Sequence, residues 1–247
     1  MNSTKGVSYM AYQKIFKRVE TKYMLSAEQY KRVLAEMESY TRGDEYGKST
    51  ICNVYFDTPD FRLIRRSMEK PIYKEKLRLR SYGKANHSST AFAEIKKKYD
   101  DVVYKRRISL TEQQGMELLC NRQPSDNSQI TNEILYFLDF YKCLKPAVFI
   151  SYEREAYYDR ENPDFRVTFD RNILWRDWDV DLTKGVYGNP ILTGGTVLME
   201  VKSAGAMPRW FVDILNENSL HKTSFSKYGR AYEAIYKREN SGGLHYA

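Results

Sequence analysis

The sequence of 247 residues has few of the side chains that form disulfides or bind structural metals. Its three cysteines, Cys52, Cys120 and Cys143, are far apart and odd in number, and no CxxC pair is present. Its three histidines show no metal-ligand spacing. These absences exclude a disulfide framework and a zinc ribbon, and they predict reduced thiols.

Long hydrophobic runs are also missing from the sequence. No stretch approaches the roughly 18 apolar residues that a membrane-spanning helix needs. The N-terminal segment lacks the apolar core of an export signal. We therefore expect no membrane insertion and a cytoplasmic location.

Tyrosine and positive charge are the two features that the sequence has in excess. It contains 21 Tyr, and its 40 Lys and Arg outnumber 32 Asp and Glu, which gives a net charge of +8. The charge is concentrated, because residues 62–80 contain eight Lys or Arg and two acids. Residues 94–107 contain six Lys or Arg and three acids. Tyrosine favours strands, and the positive charge predicts an anionic partner.

The pattern of apolar residues predicts a mixed α+β domain. Alternation with a period of two predicts eight strands, at 16–25, 49–58, 72–80, 91–99, 101–110, 146–158, 165–170 and 196–203. Helical spacing, capping boxes and prolines predict helices at 27–40, 60–68, 111–120, 129–141, after Pro208 and at 225–237. The segments predicted to lack regular structure are 41–48, 171–190 and the tail 239–247. Alternating strands favour an antiparallel sheet, and we expect one domain over 1–247 with a core at about 14–237.

The strand predicted at 72–80 carries the clearest chemical signal. Lys74, Lys76, Arg78 and Arg80 are two residues apart, so they point to one face, and that face has no acid. An exposed strand usually mixes both signs, because neighbouring like charges repel. We interpret this face as a cationic wall that binds a polyanion. The other predicted strands carry further charged residues on one face: Glu20, Lys22, Glu94, Lys96, Lys98, Lys105, Arg107, Tyr152, Arg154, Arg166, Glu200 and Lys202.

A curved sheet would give these charged faces a common location. About eight antiparallel strands can close into a barrel. If the apolar faces pack on surrounding helices, the charged faces line a lumen. Arg offers forked donors to phosphate oxygens, and Lys offers a mobile point charge. The carboxylates of Glu20, Glu94 and Glu200 would then be candidate ligands of a hard divalent cation.

One motif resembles a phosphate-binding P-loop but fails the requirements. GDEYGKST at 43–50 has three residues between Gly43 and Gly47, whereas the motif needs four. It also follows a predicted helix and precedes a predicted strand, which is the reverse of the required order. No RNA-binding, zinc-finger or helix-turn-helix pattern is present, so no nucleic-acid partner is expected.

Nine short segments together resemble the VTC-type polyphosphate polymerase domain of the triphosphate tunnel metalloenzymes, which are CYTH-like. In chain order they are ETKY (20–23), YFDT (55–58), KLRLR (76–80), EIKKK (94–98), YKRR (104–107), SYER (151–154), FRVTFD (165–170), MEVK (199–202) and FSKYG (225–229). The resemblance covers about residues 14–237. It implies a tunnel of eight antiparallel strands with a cationic lumen, flanked by helices. It also implies transfer of the terminal phosphoryl group of ATP to a growing inorganic polyphosphate chain, with Mn²⁺ or Mg²⁺.

The resemblance also implies roles for individual residues. The implied catalytic set is Arg78, Arg80, Lys96, Arg154, Arg166 and Glu200. The implied phosphate-binding set is Lys22, Lys105, Tyr152, Ser226 and Lys227, and strand position adds Lys74, Lys76, Lys98, Arg107 and Lys202. Glu200 resembles the metal-binding glutamate, and Glu20 and Glu94 are the further metal candidates.

Two departures from related tunnel proteins bear on the reaction. Tunnel triphosphatases begin with ExExK, and Arg18 replaces the first acid here, which favours a polymerase over a hydrolase. In another branch a histidine can occupy the position of Lys98. The remaining alternatives are a hydrolase of triphosphate or polyphosphate, a non-catalytic module that binds polyphosphate or inositol phosphates, and a nucleic-acid-binding protein. A separate membrane partner that receives the product is left open, as is the oligomeric state.

Overall fold

The computed structural model describes residues 19–100 and 102–241. In this part of the chain the strands are β1 (Val19–Leu25), β2 (Thr41–Asp57), β3 (Tyr73–Tyr82), β4 (Thr90–Tyr99), β5 (Val102–Thr111), β6 (Lys145–Asp159), β7 (Arg166–Arg176), β8 (Asn189–Pro190) and β9 (Val197–Ser203). The helices are α1 (Ala27–Met37), α2 (Arg62–Met68), α3 (Glu112–Asn121), α4 (Gln129–Tyr141), α5 (Arg209–Glu217) and α6 (Lys227–Ser241). None of these helices is long and apolar enough to cross a membrane.

The strands form one antiparallel sheet that curls around a lumen. Its order is β1-β9-β7-β6-β2-β3-β4-β5, and β8 pairs with β7. The predicted antiparallel sheet is therefore confirmed. The curl brings Lys96 Nζ on β4 to 3.7 Å from Glu20 Oε2 on β1. Within the described residues β1 and β5 share no hydrogen-bonded ladder, so the wall approximates a barrel without being a closed one.

Two apolar cores cover the outside of the curved sheet. The first packs β2, β3 and β4 against α3 and α4, and it includes the fully buried Leu77 and Leu79. Gly115 in α3 is needed for this contact, because a Cβ atom there would lie 2.6 Å from Leu79 Cδ1. The second core packs β1, β7 and β9 against α1 and α5, and Met199 and Val201 are completely buried in it. The prediction that apolar strand faces pack on helices is confirmed.

The third core lies inside the curved sheet and contains α6. Tyr228, Ala231 and Ile235 of α6 pack against strand residues that point inward, such as Tyr55 and Ile150. The sequence predicts this helix at 225–237, but not that it lies inside the curved sheet. The helix fills one end of the lumen. We call the opposite end of the lumen, beyond Arg166 and Phe92, the mouth.

Several predicted boundaries require correction. Residues 41–48, expected to be a loop, begin β2, because Thr41–Gly43 and Lys48–Asp57 pair with β6 around a bulge. β7 continues to Arg176, into a stretch expected to be irregular, and α6 includes 239–241 of the expected tail. Helices α1 and α2 are shorter than predicted. The predictions at 16–18, Asp101 and 242–247 fall outside the described residues.

Candidate functional site

The inward face of β3 and β4 contains the first cluster of charged side chains. Glu94 is only 1% exposed, and its Oε2 accepts hydrogen bonds from Arg78, with Nε at 2.7 Å and Nη2 at 2.6 Å. Lys105 Nζ lies 2.6 Å from Glu94 Oε1, and Arg80 Nε lies 3.8 Å from Oε2. Burial alone would raise the pKa of Glu94, but these three cations hold it well below its usual range. Glu94 is therefore an ionised carboxylate that positions the surrounding cations.

Two neutral side chains on β2 orient the arginines of this cluster. Arg78 Nη1 donates to Tyr55 Oη at 3.1 Å, and Arg80 Nε donates to Asn53 Oδ1 at 2.9 Å. Asn53 also donates to the carbonyl oxygen of Ile150. These contacts follow from register, because Tyr55 is opposite Arg78 and Asn53 is opposite Arg80.

The second cluster surrounds Asp170 on β7, which is completely buried. Arg154 donates to it with both arms of its guanidinium group, Nε to Oδ1 at 2.6 Å and Nη2 to Oδ2 at 2.7 Å. Lys227 Nζ, at the start of α6, lies 2.5 Å from Asp170 Oδ2. Arg154 and Lys227 were predicted to be site residues, but Asp170 was not. Asp170 could have been found from the FRVTFD segment, because it lies two residues after Thr168 and four after Arg166 and so shares their inward face.

Glu200 on β9 extends this cluster towards β1. Its oxygens lie 3.0 Å from Lys227 Nζ, 3.1 Å from Arg154 Nη2 and 3.4 Å from Lys22 Nζ. Burial opposes ionisation, but the surrounding cations keep the pKa of Glu200 well below its usual value. Lys22 Nζ also lies 3.5 Å from Glu20 Oε1.

The aromatic ring of Tyr152 lies beside the same cations. The guanidinium carbon of Arg154 is 5.0 Å from the ring centroid, and Lys227 Nζ is 4.5 Å from it. These are cation–π distances. Burial favours the neutral phenol, but Arg154, Arg80 and Lys227 lower the pKa of Tyr152 overall. We call Glu94, Asp170 and Glu200, together with their bound cations, the ion-paired centre.

Lysines oppose one another directly in register on β3, β4 and β5. Lys74 is opposite Lys98 in one row, and Lys76, Lys96 and Lys105 are opposite one another in the next. We call these two sets the lysine rows; two of their members also contact a carboxylate, Lys105 that of Glu94 at 2.6 Å and Lys96 that of Glu20 at 3.7 Å. Like charges directly opposite on neighbouring strands destabilise a sheet.

Lys76 shows the electrostatic consequence of this arrangement. Burial and then the nearby Lys96, Lys22, Lys74 and Arg78 lower its pKa to about 7. Its Nζ donates to Ser226 Oγ at 3.3 Å, just before α6. The lysine rows therefore lead from the ion-paired centre towards the end of the lumen that contains α6.

The mouth contains the remaining predicted residues. Arg166 Nη2 lies 3.4 Å from Asp44 Oδ2, and its guanidinium group lies over Tyr158 at 4.8 Å from the ring centroid. Lys202 is opposite Arg166 in register. Burial lowers the pKa of Lys202, although Glu20 and Glu200 oppose this effect. Arg107 lies over the ring of Phe92 at 4.7 Å, with its side chain exposed to solvent.

The acidic side chains of the lumen are the candidate ligands of a divalent cation. In the described part of the chain, no group of three or more His, Cys, Asp or Glu is arranged to hold a metal. Glu20 and Glu200 share Lys22 as a partner, and each opposes ionisation of the other. The geometry does not support Glu94 or Glu200 as a ligand, because both oxygens of each face cations, and Glu200 contacts Lys22 and Lys227 through Oε1 and Arg154 through Oε2. The oxygens of Glu20 likewise lie near Lys22 and Lys96. Binding of Mn²⁺ or Mg²⁺ by Glu20, Glu94 and Glu200 therefore stays a prediction.

Comparison with known families identifies the domain. The sequence model described as the VTC domain matches residues 17–236. The chain belongs to the VTC domain family. The resemblance inferred from nine short segments is therefore confirmed. A search of curated proteins found no match for this VTC domain.

Two solved structures share the fold of this VTC domain. A proposed adenylate cyclase from Bacillus halodurans aligns with a TM-score of 0.53 and 16% identity, over 86% of this chain and 94% of its own. A proposed adenylyl cyclase from Hippeastrum, described as having a dominant triphosphatase activity, aligns with a TM-score of 0.52 and 16% identity. That alignment covers 92% of this chain and 97% of the other. At such identity, the likeness establishes the fold.

Proposed function

We propose that this VTC domain transfers the terminal phosphoryl group of ATP to a growing inorganic polyphosphate chain inside the lumen. The observation that carries the proposal is the direct opposition of Lys76 and Lys96 next to the ion-paired centre. The arginines of that centre offer forked donors to the oxygens of one triphosphate. The opposition of Lys76 and Lys96 beside them is unfavourable, and a second, extended anion between these lysines would relieve it.

The length of the cationic face agrees with two anionic substrates. From Arg80 to Lys74, the inward residues of β3 span six residues, or about 20 Å of strand. The arginine end, near the mouth, would hold the donor triphosphate. The lysine end, near Ser226, would hold the polyphosphate chain. Donor and acceptor then meet between Arg78 and Lys76.

Phosphoryl transfer asks the protein mainly for positioning and charge neutralisation. Arg78 and Arg154 are held by Glu94 and Asp170, so their remaining donors are fixed before substrate binds. Such preorganised donors stabilise charge on the transferred group without rearrangement. The Mn²⁺ or Mg²⁺ ion that the resemblance implies would neutralise phosphate oxygens.

The test is a product assay with purified protein, ATP and Mn²⁺ or Mg²⁺. We expect long polyphosphate on a gel, and we expect Arg78→Ala and Glu200→Gln to abolish it. Arg106→Ala is the matched control, because Arg106 points outward and pairs with Glu133 of α4 at 3.3 Å. Orthophosphate as the sole product would identify a hydrolase, and tight anion binding without turnover would identify a binding module. Wild-type polymer yield from Arg78→Ala would refute the proposed site.

A further inference from the structure

A group of aromatic side chains lies at the mouth and has no role in the proposed transfer. It consists of Tyr46 on the β2 bulge, Tyr82 at the end of β3 and Phe92 on β4. The rings of Tyr46 and Tyr82 are stacked, with centroids 6.4 Å apart and planes at 20°. Phe92 meets Tyr82 edge to face, at 5.8 Å and 85°. Tyr46 is 70% exposed and Tyr82 is 51% exposed, so both rings present surface to solvent.

These mouth aromatics directly adjoin the phosphate-binding arginines. Tyr82 follows Arg80 by two residues, so both side chains share the inward face of β3. Phe92 is opposite Arg80 in register, and the guanidinium group of Arg107 lies over its ring. A ligand whose anionic part reaches Arg80 therefore has its other end beside these rings.

The β2 bulge brings Tyr46 to this position. Gly43 is opposite Tyr157 and Lys48 is opposite Glu155, so β2 contains three more residues than β6 over this interval. Asp44 in the bulge accepts a hydrogen bond from the backbone N–H of Tyr46 at 3.2 Å, and its other oxygen contacts Arg166. Asp44 thus links the backbone of Tyr46 on β2 to Arg166 on β7.

The chemistry of the mouth selects one kind of occupant. Inorganic phosphate chains have no surface that stacks on an aromatic ring, whereas a nucleobase has a π-face that stacks well. The adjoining arginines complement a triphosphate. An occupant that combines a planar ring with a triphosphate is a nucleoside triphosphate.

We propose that Tyr46 and Tyr82, supported by Phe92, form the stacking subsite for the base of the nucleoside triphosphate donor. This inference rests on the proposed function for the identity of the donor. It orients the donor with its base at the mouth and its terminal phosphate towards Lys76. Stacking reads the ring face and not the base edge, so ATP and GTP bind with similar affinity.

The test compares binding of ATP with binding of inorganic tripolyphosphate, which lacks the base. Calorimetry without Mn²⁺ or Mg²⁺ would give both dissociation constants for the wild type, Tyr46→Ala and Tyr82→Leu. We expect each variant to weaken ATP binding about tenfold and to change tripolyphosphate binding less than twofold. Tyr46→Phe keeps the ring and should retain wild-type affinity for ATP. Tyr236→Ala is the matched control, because Tyr236 is an exposed tyrosine on α6.

The possible outcomes separate this inference from the proposed function. Equal losses for ATP and tripolyphosphate, or no loss for either, would overturn the stacking subsite. Circular dichroism would confirm that each variant is folded. Failure of the wild type to make polymer would overturn the polymerase proposal. Since the binding assay involves no turnover, its result decides the stacking subsite in either case.

Discussion

The ion-paired centre and the lysine rows differ in how their positive charges are neutralised. In the centre, each carboxylate contacts at least two cations, and Asp170 contacts Arg154 and Lys227 through both oxygens. In the rows, Lys76 is opposite Lys96, and the pKa of Lys76 is lowered to about 7. The centre is assembled without ligand, whereas burial and the neighbouring Lys96 and Lys22 disfavour the charged form of Lys76, which an anion would stabilise. The difference indicates that the residues that stabilise the fold and the residues that await a substrate lie in different parts of one lumen.

Removing a carboxylate from the centre should give the largest effect. Asp170→Asn keeps the shape but leaves Arg154 and Lys227 without their buried counter-charge. Breaking a buried pair costs about 3–5 kcal/mol, and we expect that loss in the free energy of urea unfolding, together with loss of activity. Asp213→Asn, at an exposed position of α5, is the control and should cost little. A stable, active Asp170→Asn protein would contradict the role of the centre.

Removing the outer lysine row should affect binding of long chains more than binding of ATP. Lys74→Gln combined with Lys98→Gln should weaken polyphosphate binding about tenfold, equivalent to about 1.4 kcal/mol. The slope of log K against log salt should also become shallower. ATP affinity should remain close to wild type, because the donor lies at Arg78 and Arg80. Lys97→Gln, on the opposite face of β4, is the control. Equal losses for ATP and polyphosphate would show that the rows do not distinguish the two anions.

Ser226 links Lys76 to the start of α6, because its hydroxyl group contacts Lys76 and also accepts a hydrogen bond from Gly229 N–H at 3.1 Å. Ser226→Ala removes this bond at the start of α6. We expect a loss of about 1 kcal/mol in unfolding free energy, with weaker polyphosphate binding. Thermal melts with and without polyphosphate would measure both effects. Ser226→Thr retains a hydroxyl group and should recover most of the stability.

Removing Lys76 should give an effect of the opposite sign. Lys76→Met relieves repulsion from its neighbours, so the ligand-free variant should be more stable than the wild type at pH 6. Between pH 7 and about 10.4, the unfolded chain binds more protons at this side chain than the folded protein does. Wild-type stability therefore rises with pH in this window, and the advantage of Lys76→Met should shrink. Melting curves at pH 6, 8 and 10 would check this, and a variant less stable at pH 6 would contradict it.

The strands and their inward faces were predictable because side-chain alternation is a local property. Lys74 to Arg80 and Glu200 with Lys202 lie on the faces that the sequence predicts. The capping boxes at Ser26 and Thr111 also begin helices as expected. The N-terminal half of β2 was missed because its polar residues resemble a loop, and their strand conformation depends on pairing with β6.

The contacts that each site residue makes were harder to predict from the sequence. Glu94 and Glu200 have the same residue type and the same alternation, yet Glu94 contacts Arg78, Arg80 and Lys105, whereas Glu200 contacts Arg154, Lys227 and Lys22. Only the three-dimensional arrangement shows which cations each carboxylate positions. Asp170 was similarly missed, since its role as a counter-charge depends on Arg154 from another strand and Lys227 from α6.

The sequence by itself determined where eight strands lie, though not all their boundaries, which face of these strands is charged, and which family the segments resemble. These properties depend on neighbours a few positions apart, where the period of the backbone decides the outcome. Tertiary structure alone decided that α6 fills one end of the lumen and that Tyr46 reaches Tyr82. It also decided which cations are neutralised and which oppose one another. Charges act through distance in space, and the curl of the sheet, which sets those distances, joins residues as remote in sequence as Glu20 and Lys96.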